Sequence, residues 1–247
     1  RLVMATPFDP RKFRYAHRGL WSANGPPENS LEAFRQARAA GLGVEFDVRP
    51  ARDGTPVVFH DDTLDRMTKR SGKTEELNAK ELGRLSLAGS SEHLPTFLEL
   101  LRIWPYQLPL LTELKIDGKT DPEAFARRVG DRLAHWKGFA AAMSFSEKAV
   151  RALPMGLMRG QLIGSTAKVG ENAFDSVLER AVTDGVDYLA VHTSDIERAA
   201  LKSQGSNLPI VIWTVRSEDE LDRCKDHEAA VIFEHMDPEL VSRRLST

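Results

Sequence analysis

Cysteine is almost absent from this chain: Cys224 stands alone among 247 residues. That excludes an internal disulfide framework and any zinc cluster built on cysteines, and it favours a reducing compartment. A surplus of either charge is also missing. The 34 Lys and Arg against 36 Asp and Glu leave a net charge of -2, so no global basic field recruits nucleic acid and no acidic excess marks a solvating tail. No apolar run approaches the ~18 residues that cross a bilayer. The opening "RLVMATPFDP" lacks the apolar core of a secretion signal. These absences lead to the expectation of a cytoplasmic protein without membrane insertion or nucleic-acid partner, acting on a small molecule. There is no internal repeat, no low-complexity tract and no signal for an oligomeric state.

What is present is an alternation. The apolar runs "FRYAH", "GVEFDV" with "PVVFH", "LPLLTELK", "GFAAAMSF", "MGLMRGQLIG", "GVDYLAV", "LPIVIWTV" and "AAVIFE" are separated by segments of helical period such as "ENSLEAFRQARAAG" and "DPEAFARRVGDRLAHW". If "GVEFDV" and "PVVFH" share one unit, the strand and helix units number eight. Eight such units in a chain of ~250 residues predict an α/β fold, a closed (β/α)8 TIM barrel forming a single domain over 1–247. An open doubly wound sheet is the alternative. Residues 61–93 break the rhythm: polar and highly charged, they read as a small insertion after the second strand unit, lying at the C-terminal face of the barrel.

Barrel active sites sit at the C-terminal ends of the strands, and "YAHRGL" places His17 and Arg18 there. In "VEFDV", Val44, Phe46 and Val48 share the face that meets the outer helices, which turns Glu45 and Asp47 inward. "TELKI" repeats the pattern, with Glu113 and Lys115 inward. Like charges withdrawn from water require a cation or a proton. The three carboxylates form a hard-oxygen site suited to Mg²⁺ or Ca²⁺, or else an ion-pair network closed by Lys115 and Arg18. His60 ends "PVVFH" beside two aspartates. Two histidines, three carboxylates and two cations supply what cleavage of a phosphodiester needs: charge to hold the anion, a base and an acid.

"AHRG", "PENSLEAF", "VEFDV", "DGTPVVFHDDTLDRMT" and "TELK", in that order and spacing, resemble the signature series of the glycerophosphodiester phosphodiesterase family. The resemblance extends over the whole chain and is most specific over residues 15–115. It implies a TIM barrel, a divalent metal, and hydrolysis of glycerophosphodiesters to glycerol 3-phosphate and an alcohol. By position it makes His17 and His60 the catalytic pair, Arg18 and Lys115 phosphate-binding groups, and Glu45, Asp47 and Glu113 the metal ligands. Glu28 and Asn29 match a motif at the mouth, with capping of the first helix as the other reading. Trp213 walls the substrate pocket or merely packs. Glu234 stands where the family usually shows Asp, which leaves the role of the last loop open. Two other functions fit less: a non-catalytic barrel that binds a phosphorylated ligand, and a phospholipase-type relative, which needs an exposed apolar rim that residues 61–93 do not offer.

Overall fold

The computed structural model describes residues 4–246. Its strands are β1 (Arg14–His17), β2 (Gly43–Pro50), β3 (Pro56–Val58), β4 (Leu110–Leu114), β5 (Ala140–Ser144), β6 (Met158–Leu162), β7 (Tyr188–His192), β8 (Ile210–Val215) and β9 (Ala230–Phe233). All but β3 run parallel in one ring, which closes where β9 and β2 both pair with β1. The TIM barrel is therefore present and the open sheet is excluded. Helices between the strands cover the ring: α1 (Leu31–Ala39), α2 (Ala79–Leu82), α3 (Phe97–Ile103), α4 (Pro122–Ala134), α5 (Glu147–Ala152), α6 (Thr166–Val169), α7 (Glu171–Thr183), α8 (Ile196–Lys202), α9 (Glu218–Asp226) and α10 (Pro238–Ser246). Their starts are written locally. Ser30 caps α1 by accepting from the Ala33 N–H at 3.1 Å, Thr96 and Glu99 form a capping box on α3, and Asp121 with Pro122 opens α4.

Alternation along each strand builds two apolar layers. Val44, Phe46, Val48, Leu110 and Leu114 face outward and pack on Phe34, Phe97 and Phe125 of the helices, as the sequence pattern required. Tyr15, Leu111, Met143, Leu162, Tyr188, Val211 and Ile232 fill the interior. Phe8, Phe13 and Phe139 cluster at the N-terminal end, with ring centroids 5.6 to 6.1 Å apart. Above the filled layers, the same inward series ends in polar groups at the C-terminal mouth.

β1 is short, and that shapes the mouth. Its four residues pair with β2 only along Gly43 to Glu45, so the upper edge of β2 is left open. β3 fills that edge antiparallel, with Val58 opposite Val48, and the Phe59 N–H then donates to the Asp47 carbonyl at 3.1 Å. The hairpin thus returns His60 to the mouth of the barrel, where it lines the same cleft as His17.

Residues 61–93 differ from the expectation of a merely polar insertion. Leu64, Met67, Leu77, Leu82 and Leu87 bury against Val57, Phe59 and Leu94 in an apolar cluster of their own. These leucines follow no strand or helix period, so their shared burial is invisible to pattern reading.

Inside the barrel, Gly160 on β6 lies opposite Tyr188 on β7. A Cβ at residue 160 would stand 2.2 Å from the Tyr188 ring, which is completely buried. Gly160→Ala is therefore expected to destabilise the protein by about 1–3 kcal/mol through overpacking, read as a lower denaturation midpoint with an unchanged m-value. An unaltered midpoint would mean that the inner layer has slack.

Candidate active site

Glu45 and Asp47 project inward from β2, and Glu113 projects from β4, where it is in register with Asp47. One carboxylate oxygen from each lies within 4.8 Å of the others, and the three side chains are buried. Lys115 Nζ sits 2.8 Å from Glu113 Oε1 and 3.6 Å from Asp47 Oδ1, while Arg18 Nε is 3.5 Å from Asp47 Oδ2. The ion pairs of the network reading therefore exist, but two cations face three acids. Burial raises Asp47, yet Lys115 and Arg18 overcome it and hold the group well below the usual carboxylate range. Burial, Asp47 and Glu113 push Glu45 far up, and burial raises Glu113 to about 7 despite Lys115. Held as ions, the three acids exceed the two cations by one charge, and the raised groups take up protons unless a further cation is bound. Asn29 donates from Nδ2 to Asp47 Oδ2 at 3.0 Å, while its own buried Oδ1 has no partner. An all-oxygen donor set with surplus negative charge fits a hard divalent cation such as Mg²⁺ or Ca²⁺.

The two histidines are mounted alike. His17 Nδ1 is 2.7 Å from Glu234 Oε2, and His60 Nδ1 is 2.8 Å from Asp61 Oδ1. Since a carboxylate only accepts, each Nδ1 carries the proton, and each Nε2 is left to take or give one. Burial is the largest cause holding both imidazoles below their ordinary pKa, with Arg18 contributing to both and Lys115 to His60. Glu234 also receives the Trp21 Nε1–H at 3.2 Å and the Arg216 Nε–H at 2.8 Å. Against the upward push of burial, His17 and Arg216 lower its carboxyl to about 2. Glu234, whose role the sequence left open, thus reaches His17 directly.

Arg18 and Gly19 make the left-handed turn that ends β1, with φ of 58° and 80°. A Cβ at residue 19 would come within 2.9 Å of the Ala33 main-chain carbon, so the "HRG" glycine is required by the approach of α1. Glu28 and Asn29 do not cap that helix, because Ser30 does. Glu28 instead accepts from Arg18 Nη1 at 3.0 Å and from both terminal nitrogens of Arg66, at 2.6 and 3.1 Å. Arg66 also forks onto Asp61, at 2.8 and 3.0 Å. A continuous chain of ion pairs, Arg18 to Glu28 to Arg66 to Asp61, therefore joins the two sides of the mouth and ends on His60.

Across the opening, the ends of β5, β7 and β8 present Phe145, His192 and Trp213. The Trp213 ring stands edge-on to Phe145 and His192, with centroids 5.8 and 5.1 Å away. It packs and lines the opening at once. The whole forms a cleft of about 920 Å³ into which His17, Arg18, His60, Lys115 and Trp213 all open. His17, Arg18, Glu28, Asn29, Glu45, Asp47, His60, Glu113, Lys115, Trp213 and Glu234, the residues singled out in the sequence, thus converge at one end of the barrel. Arg49, Asp61, Arg66, Phe145, His192 and Arg216 were not among them. For Arg49, Phe145 and His192 the signal was available, since each continues an inward series already begun on its strand.

A barrel whose C-terminal mouth combines an acidic triad with cations and carboxylate-held histidines has the make-up of a phosphodiester-binding TIM-barrel protein. The family model for the glycerophosphoryl diester phosphodiesterase family matches residues 17–237, and the chain belongs to that family. Glycerophosphodiester phosphodiesterase 1 of Rattus norvegicus is 39% identical over 93 residues, 34% of this chain and 28% of the rat protein. The match thus spans little more than a quarter of that relative's length. An Oleispira antarctica phosphodiesterase, solved in complex with the product sn-glycerol-3-phosphate, superposes with a TM-score of 0.79 at 25% identity, covering 95% of this chain and 97% of its own. The glycerophosphodiester phosphodiesterase of Thermotoga maritima shares the fold, with a TM-score of 0.77 at 24% identity over 94% of this chain and 97% of that one.

Balancing the acids with a divalent cation has a thermodynamic readout. Mg²⁺ or Ca²⁺ added to chelator-treated protein is expected to raise the thermal midpoint, with about 2.7 kcal/mol of stabilisation at a hundredfold excess over Kd. Glu45→Ala, Asp47→Ala and Glu113→Ala should each lose the response. A midpoint indifferent to both ions would leave the triad as an ion-pair network only.

Proposed function

We propose that the protein is a metal-dependent glycerophosphodiester phosphodiesterase, which hydrolyses its substrate to glycerol 3-phosphate and an alcohol. The observation that carries this reading is the meeting, in one cleft, of two histidines held by carboxylates, two cations and a buried acidic triad. The product complex of the Oleispira relative supports the choice of substrate class.

Glu45, Asp47 and Glu113 hold a divalent ion, Mg²⁺ or Ca²⁺, which when bound supplies Lewis-acid charge to the phosphate. Arg18 and Lys115 hold the non-bridging phosphate oxygens, whose charge grows in the transition state. His17 acts as the base: its Nε2 takes the proton from the attacking group as the new P–O bond forms, whether water, which gives glycerol 3-phosphate directly, or a glycerol hydroxyl, which gives a cyclic phosphate that water opens in a second step with the proton roles reversed. The Glu234 carboxylate at Nδ1 stabilises the imidazolium that results. His60 acts as the acid: its Nε2–H gives a proton to the departing alkoxide as the old P–O bond breaks. Its depressed pKa opposes that role in the free protein, and the phosphodiester anion seated beside it favours the charged form. Trp213, with Phe145, walls the side on which an organic part of the substrate rests.

Purified protein given glycerophosphocholine should release glycerol 3-phosphate, stop in excess EDTA and resume on adding Mg²⁺ or Ca²⁺. Product formed equally well in EDTA would defeat the metal-dependent reading, and no product at all would favour a non-catalytic phosphate-binding barrel. The histidines separate by leaving group. His60→Ala should depress turnover of an alkyl diester about 10²-fold or more, and that of a p-nitrophenyl diester far less, because p-nitrophenolate hardly needs a proton. His17→Ala should damage both, and reversed sensitivities would exchange the roles.

A soluble glycerophosphodiester should also be cleaved faster than the diacyl phospholipid in vesicles at matched concentration. Among the described residues no helix is long and apolar enough to cross a membrane. Exposed apolar side chains at the cleft are few, with Phe145 and Val169 at 47% and 43% exposure, too little for a membrane-docking patch. Faster cleavage of the vesicle lipid would refute this preference.

A further inference from the structure

Arg49 is the next inward residue on β2 after Asp47, and it is only 6% exposed. A guanidinium is taken out of water at a high cost unless its donors are matched. Here Nε donates to the His60 carbonyl at 2.7 Å and Nη2 donates to the same oxygen. Nη1 donates to both carboxylate oxygens of Asp117 at 2.8 Å. Asp117 lies in the loop after β4, two residues beyond Lys115. Arg49 thus spends its donors on a main-chain carbonyl and a loop carboxylate.

The place of His60 in the chain gives these contacts their meaning. β3 ends at Val58, and the last main-chain bond of the hairpin is made by Phe59. The His60 backbone has left the ladder, and among the described residues its carbonyl is held by Arg49 alone. Asp61 fixes the ring through Nδ1, and the chain on either side is held by the Phe59 N–H and by Thr74, whose Oγ1 donates to the Asp61 carbonyl at 3.1 Å; the carbonyl of His60 itself is left to Arg49. A catalytic group held about 1 Å out of place loses on the order of 10² in rate, so this carbonyl is the point at which His60 is set.

We propose that Arg49 is a positioning residue for His60, clamping the main chain that carries the imidazole and tying it, through Asp117, to the loop that carries Lys115. This rests on His60 taking part in catalysis, whichever proton it moves.

The test is a double-mutant cycle on glycerophosphocholine with metal saturating, using Arg49→Met, His60→Ala and the pair. Arg49→Met should lower kcat about tenfold or more with little change in KM, and in the His60→Ala background it should cost almost nothing further, since residues acting as one unit are far from additive. Arg49→Lys, which reaches one partner but not both, should fall in between. Asp117→Asn, at a half-exposed site, should show a smaller loss that likewise vanishes without His60. It keeps the test open should Arg49→Met fail to fold, which the metal-linked rise in thermal midpoint will reveal. A loss from Arg49→Met or Asp117→Asn that persists undiminished in the His60→Ala background overturns the proposal, as does a rise in KM with kcat intact, which would make Arg49 a phosphate ligand. Failure of the acid assignment reads separately, as a His60→Ala loss that does not depend on the leaving group. A His60→Ala protein with full turnover sinks both.

Discussion

Three carboxylates at inward positions of two neighbouring parallel strands cannot be buried together unless positive charge is buried with them, and the mouth of this barrel is arranged around that demand. β2 has both faces covered, so Glu45 and Asp47 are almost wholly withdrawn from bulk water. Desolvation of each carboxylate costs several kcal/mol, more than one lysine offsets. Lys115 directly follows β4, two residues beyond Glu113, and needs no special backbone. Arg18 reaches Asp47 from the end of β1, through a left-handed residue backed by a glycine that lets α1 close in. With all three acids ionised one negative charge would be left over, which protons or a divalent cation would balance.

Partial compensation reaches the histidines as well. Arg18 disfavours protonation of both imidazoles, and the carboxylates at their Nδ1 atoms work against it. With burial the largest cause, each ring is thus biased toward its neutral form, and it is fixed in direction by the carboxylate at Nδ1. Symmetry of mounting hides a difference of support. His17 belongs to a barrel strand, with Glu234 following the neighbouring one. His60 belongs to a hairpin that extends past the ring, and its surroundings are drawn from β2, the loop after β4 and the insertion. That insertion has a small apolar core of its own, which gives Arg66 a firm base from which to bridge Glu28 and Asp61.

The mouth is divided. Acids and cations gather on β1, β2 and β4, while β5, β7 and β8 end in Phe145, His192 and Trp213. On the function proposed above, a substrate with a charged half and an organic half would meet both, its phosphate at the cations and its carbon groups at the aromatic wall. A phosphodiester of glycerol has that constitution.

Much of this was legible in the order of residues, because alternation along a strand is local. "VEFDV" and "TELKI" determine by themselves which side chains share a face, and the apolar set on the other face decides which side is inward. Glu45, Asp47, Glu113 and Lys115 could therefore be placed before any fold was known, and eight repeated units sufficed to predict the closed ring. His17 was legible as the polar end of an apolar strand. Other features belong to tertiary structure alone. Arg66 meets Glu28 across 38 residues, and Arg49 meets Asp117 across 68; no period links such positions, and the approach depends on how loops close. The leucines of residues 61–93 look like scattered apolar residues in a charged segment until the chain folds them together. The place of His60 in the cleft that His17 also lines depends on the shortness of β1, which opens an edge of β2 for β3 to fill. Sequence determines the face on which a side chain lies, since neighbours along the chain set it; which distant groups share that face is decided by the packing of the whole barrel.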